Sequence, residues 1–325
     1  MKHLLMKLAT AIGLAIAALH ASPTSADAYP DKPIRLIVPS TAGSVPDQLA
    51  RWLGEKLAGA FGQPVVVDNR PGAGGTIGLT AVARAAPDGY TLGIQTLPTI
   101  VTPSLLAKMP YDTERDLAPV TLVNWTFTIL VVPANSPART IPELVALAKA
   151  RPGQLTFSSQ GNGSPAHLAI SQFAHQTGVK LTHIPFKGGP ASLMALLAGE
   201  VDMGVQGIGT AGPHLKSGKL RALATTAPQR IAAFPDLPTL VELGYADVQF
   251  SDWQGVVAPA GTPRAVIDRL HAEIARILAR PDSRTDLAAK GMVPAGLGPD
   301  EFAAYQRAEM QKWAKLVRAA GITAE

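Results

Sequence analysis

The residues of this 325-residue chain with chemistry to offer stand where apolar runs end in loops of small residues. Thr41, Ala42, Gly43 and Ser44 follow the run Ile34–Val38, with Asp47 just beyond. Gln95 and Thr96 close the run that starts at Thr91, and Gln206 ends Val201–Gln206. Ser159, Gly161, Asn162, Gly163 and Ser164 follow Leu155–Ser158, ahead of His167. Hydroxyls, amides and glycines in such loops suit the holding of a small anion rather than the making of bonds. Glycine lets a ligand approach the backbone closely. A helix that starts at the loop aims free N–H groups and a partial positive charge at it. An anion there gains about 0.3–2 kcal/mol from the dipole.

Each candidate also has a plainer reading. Ser164 fits a helix N-cap with Pro165 at the first helical position, and the same geometry offers its hydroxyl to a carboxylate. Asp47 is either favourable charge at a helix start or a group that takes a ligand ammonium or braces the loop. His167 either contacts ligand or is structural. Gln206 both donates and accepts.

Catalysis finds little support. The chain has no cysteine, which rules out thiolate catalysis and disulfides. No G-x-S-x-G elbow occurs. His167 and His175 lack zinc-helix spacing and there is no H-E-x-x-H, so no metal and no cofactor is expected. GAGGTIG (Gly72–Gly78) fails the dinucleotide fingerprint, because Ile77 takes the third glycine position, and fails the P-loop for want of a Lys-Ser/Thr pair. It reads as a tight turn packing a helix on its strand.

The elements that must position these loops alternate between strand and helix. Strands are expected at Ile34–Val38, Val65–Val67, Thr91–Gln95, Thr126–Val132, Leu155–Ser158, Leu181–Phe186, Val201–Gln206, Leu220–Thr225 and, as an extended stretch, Val248–Ala258. Helices are expected at Gln48–Leu57, Thr76–Ala85, Ile141–Lys149, Ala166–Gln176, Ala191–Ala198, Pro213–Ser217, Pro263–Leu278 and Pro299–Ala319. Such alternation implies an α/β fold with parallel sheets covered by helices, where ligands bind beyond the carboxyl ends of strands. Four small-residue loops fall there: Pro39–Pro46, Asn69–Gly75, Ser159–Ser164 and Lys187–Gly189.

The N-terminus has the three parts of an export peptide: Lys2, His3 and Lys7, then apolar Leu8–Leu19, then Ala26-Asp27-Ala28 as a cleavage site. The apolar run is shorter than the roughly 18–20 residues a membrane span needs. Cleavage after Ala28 removes Lys2, Lys7 and Asp27 and leaves 27 basic against 23 acidic side chains, a charge of +4. With no basic run or aromatic-interleaved patch, no nucleic-acid partner is expected. The mature length suits two domains of about 100–150 residues.

Taken together, YPDKPIRLIVP (29–39), GQPVVVDNRPGAGGTIG (62–78), APDGYTL (86–92), PYDTERDLAPVTLV (110–123), GNGSPAHLA (161–169), HIPFKG (183–188) and APAGTP (258–263) resemble the solute receptors of tripartite tricarboxylate transporters, the Bug family. The resemblance covers nearly the whole mature chain. It implies a periplasmic, monomeric receptor of the two-lobed type II periplasmic-binding-protein fold that closes over a small carboxylate, performs no chemistry and serves a membrane permease. It also implies a two-segment hinge, at Thr126–Val132 and near Val248–Ala258. Domain 1 is then 29–130 with 250–325, and domain 2 is 131–249. The chain departs from the family pattern where the ligand is held. Ser40 replaces an aromatic, Thr41 and Ala42 stand where prolines are common, and Ser44 and Val45 where glycines are usual. Gln206 replaces a frequent Asp, removing a charge that would repel a second carboxylate, and Phe186 a frequent Tyr. These departures point to a dicarboxylate or an aromatic carboxylate rather than an amino acid. A sensory receptor of the same fold, or an exported α/β enzyme, are the competing functions.

Overall fold

The computed structural model describes residues 29–106, 108–231, 234–245 and 251–319. The expected export peptide, residues 1–28, lies outside them, as do 248–250 of the second expected crossing.

Parallel strands β1 (Ile34–Val38), β2 (Val65–Asn69) and β3 (Thr91–Thr96) lie in the order β2-β1-β3. Antiparallel β9 (Ser251–Pro259) adds to β3. Next comes β4 (Leu117–Pro133), which also pairs β10 (Met292–Leu297). β4 is the long element of the molecule. Residues 117–127 pair with β9. From Thr128 onward it pairs instead with β7 (Met203–Gly207) and β8 (Leu220–Thr225). Parallel β5 (Thr156–Ser159) and β6 (Thr182–Pro185) complete this second sheet beside β7. One strand thus belongs to two sheets, and the fold is two-lobed.

Helices cover both sheets. They are α1 (Val45–Phe61), α2 (Thr76–Ala83), α3 (Leu97–Val101), α4 (Thr113–Asp116), α5 (Ile141–Ala150), α6 (Pro165–Thr177), α7 (Gly189–Ala198), α8 (Ile208–Lys216), α9 (Arg264–Ala279), α10 (Pro281–Ala289) and α11 (Pro299–Ala319). In α1 the spacing of Leu49, Trp52, Leu53 and Leu57 makes one apolar face, and all four are buried. The helix stops at Gly62, whose φ of 68° lets its N–H return to the Ala58 carbonyl. In α6, Ser164 is the N-cap, Pro165 opens the first turn and Gly178 ends it. The C-terminal α11 returns to the first sheet, where Phe302 packs edge-on against Trp253 of β9.

Three differences from the sequence expectations have physical causes. β4 begins at Leu117, not Thr126, because Pro119 sits at a register shift where it owes the ladder no N–H. β10 was not expected, since Pro294 and Gly296 break its pattern; a shift between Pro294 and Leu297 absorbs them. α10 was not expected either. It is mostly polar and buries only Ser283 and Leu287.

Candidate functional site

A cavity of about 620 Å³ lies between the lobes. The first lobe lines it with the loop after β1 (Pro39 to Pro46), the Pro71–Gly75 turn, Thr96, Thr126 and Asp252. The second contributes Gln160, Asn162, Ser164, Lys187 to Pro190, and Val205 to Gly207. Strand-end loops converge here because parallel strands in each sheet point their carboxyl ends at the cleft. Helices α1, α2, α6, α7 and α8 all start at or beside the wall. The dipoles of these helices bring partial positive charge to the wall. Lys187, exposed, and Asp252, buried, are the only charged residues on the wall among the described residues.

Several wall groups are unpartnered. The hydroxyls of Thr41 and Ser44 and the Gln160 carbonyl are buried and make no hydrogen bond within the protein. A buried polar group without a partner costs about 1–3 kcal/mol. The lobes also touch across the cavity. A Cβ on Gly188 would sit 2.6 Å from Thr41 Oγ1, and one on Gly207 would sit 2.9 Å from Val45 Cγ2.

Of the candidates read from sequence, Thr41, Gly43, Ser44, Thr96, Asn162, Ser164 and Gln206 stand on the wall. Gln206 is already committed in part: its Nε2 donates to Ser192 Oγ at 3.0 Å. The other seven do not line it. Ala42 is exposed. Asp47 is buried behind the loop and braces it, accepting the Gly43 N–H at 2.8 Å, Asn69 Nδ2 at 2.9 Å and Arg51 Nε at 3.1 Å. Burial alone would raise its pKa, but these donors outweigh it and hold the carboxyl below the usual range. Gln95 is fully buried and bonds to Gln306. Ser159 pairs with His183 Nε2 at 2.6 Å and ties the turn at Gly161. Gly161 and Gly163 have φ of 117° and 70°, and serve the shape of that turn. His167 Nδ1 accepts the Gly163 N–H at 3.1 Å and its ring stacks on His183 at 4.0 Å. Burial, then the neighbouring His183, pushes its pKa down to about 4. Asp47 and His167 therefore act on the site through the loops they hold.

Sequence reasoning missed Thr126, Thr128, Gln160 and Asp252. The period-2 placement of Thr126 and Thr128 around Phe127 was a usable signal. So was an acid at the head of a strand that turns apolar after Gln254. Asp252 also corrects an inference: Gln206 removes one acid, yet Asp252 puts a carboxyl back on the wall.

Two lobes around a hydroxyl-lined cavity are the architecture of a solute-binding protein. Comparison with known proteins agrees. The model of the tripartite tricarboxylate transporter family receptor matches residues 49–322. Protein BugT of Bordetella pertussis is 39% identical over 318 residues, covering 97% of this chain and 98% of that one. Rpa4515 of R. palustris, solved with adipate, superposes with a TM-score of 0.87 at 33% identity, covering 91% of this chain and 99% of that one. The periplasmic binding protein BugD gives a TM-score of 0.85 at 32% identity, covering 91% and 99%. The chain belongs to the tripartite tricarboxylate transporter receptor family; it is a binding receptor and not an enzyme.

Proposed function

We propose that this receptor works outside the cytoplasm, captures a dicarboxylate or aromatic carboxylate between its lobes as a monomer, and delivers it to the membrane subunits of a tripartite transporter. The observation that carries the reading is the cavity, where five helix starts surround unpartnered hydroxyls and almost no fixed charge. That environment favours an anion whose charge is met by N–H groups, while the apolar part of the wall, including Val45, Pro98 and Val205, accepts a hydrocarbon body. Rpa4515, which carries adipate, supports the same chemistry by kinship. The moving units are taken as 29–130 with 250–325 and 131–249; β4 changes partners near that boundary, between Phe127 and Thr128. Residues 1–28 are taken as the removable export peptide.

Calorimetric titration with dicarboxylates, aromatic acids and amino acids tests this, together with mass spectrometry of any co-purified ligand. Tight binding of a dicarboxylate or aromatic acid is expected. Tight binding of an α-amino acid alone would overturn the ligand class.

A further inference from the structure

The cavity holds one acid, and its surroundings are specific. Asp252 stands in β9 opposite Thr126 of β4, with Thr96 and Thr128 also on the wall. It is 8% exposed, and it lines the cavity. Oδ1 accepts the Trp253 N–H at 2.9 Å, Oδ2 accepts Gln254 Nε2 at 3.1 Å, and the Leu97 N–H also donates to the carboxylate. A carboxylate has about four acceptor positions, so three donors leave one for the cavity. Among the described residues no cation pairs with it. From α11 it faces Glu309, whose oxygens are held by Trp253, Trp313 and Lys312. From the second lobe the only charge on the wall among the described residues is the exposed Lys187.

We propose that Asp252 selects the ligand's second polar group: the ionised carboxylate takes a hydrogen-bond donor there, whether a hydroxyl, an ammonium or a carboxyl that keeps its proton, and rejects a bare carboxylate. This rests on the carboxylate reading above and narrows it. Two carboxylates in a water-poor pocket repel, whereas one proton shared between them gives a charge-assisted hydrogen bond. Burial, with Glu309 adding to it, pushes the Asp252 carboxyl up to about 7 against its three N–H donors. A proton is thus at hand in neutral solution. No covalent step is involved. An α-amino acid gains little, because its ammonium sits beside its carboxylate instead of at the far end.

The test is calorimetric titration of the whole protein with glutarate, an ω-hydroxy acid and an unsubstituted monocarboxylate of similar length. The dicarboxylate affinity is expected to be level from about pH 6 to 7, with no proton exchanged, and to fall about tenfold per pH unit above that, with one proton taken up per ligand bound. The ω-hydroxy acid should bind without that fall and better than the plain monocarboxylate. Asp252→Asn should flatten the dicarboxylate slope; the pH series on the unmodified protein stands even where this variant folds poorly. A level dicarboxylate affinity across the range, or equal binding of hydroxylated and plain acids, overturns the role of Asp252. Absence of binding by acids of every class overturns the carboxylate reading itself.

Discussion

Asp47 and His167 are the residues whose chemistry is easiest to misplace, because each carries a group suited to a ligand and spends it on the backbone. Asp47 anchors the loop that carries Thr41 and Ser44. Asp47→Ala leaves the Gly43 N–H without its acceptor and the Asn69 amide with only the Ser40 carbonyl, so unfolding free energy is expected to fall by about 1–3 kcal/mol, measured by urea titration, with ligand affinity weakened in parallel. The His167–His183 stack predicts an acid-sensitive second lobe. Both imidazoles have lowered pKa values, His167 down to about 4. An unfolded histidine near 6.5 binds a proton where the folded one does not. Stability is therefore whole above about pH 6.5 and is lost as pH falls toward about 4. Urea midpoints across that window should decline, and His167→Gln should remove much of the slope; an unchanged slope would assign it to carboxylates.

At the scale of elements, glycines set how closely the lobes meet. Gly207 ends β7 with an ordinary φ of −66°, so a side chain there meets no backbone strain. It meets Val45 of α1 instead. Gly207→Val is expected to leave the free protein near its normal stability, since the lobes can part. Overlap of this kind costs about 1–3 kcal/mol, which lowers ligand affinity by about five- to a hundredfold; calorimetry reads the loss and circular dichroism melting checks stability. Helix α6 was legible in sequence because its apolar spacing, proline start and glycine stop are local, and α1 by apolar spacing alone, since the expected Gln48–Leu57 fell short of both its ends. The first half of β4 was not, because Pro119 becomes tolerable only once β9 supplies a partner with a register shift.

For the whole molecule, β4 ties two sheets together, and a ligand touching both walls gains its full contacts only when they meet. Such a ligand shifts the population toward the closed form. X-ray scattering should show a smaller radius of gyration on saturation with any tightly bound acid; no compaction would remove closure from the account.

The sequence alone determined the alternation of strands and helices, the small-residue loops at strand ends, the absence of thiol chemistry and the family. These depend on spacing within a few residues and on motifs read in a line. The tertiary structure decided which loop residues face the cavity. Asp47 is met by Asn69, 22 positions on, and Gln95 by Gln306, 211 positions on. A hydrogen-bonding group has few bonds to give, and whether a distant partner takes them is set by how the lobes and helices pack. The same packing left Thr41 and Ser44 unpartnered and turned Asp252 toward the ligand space.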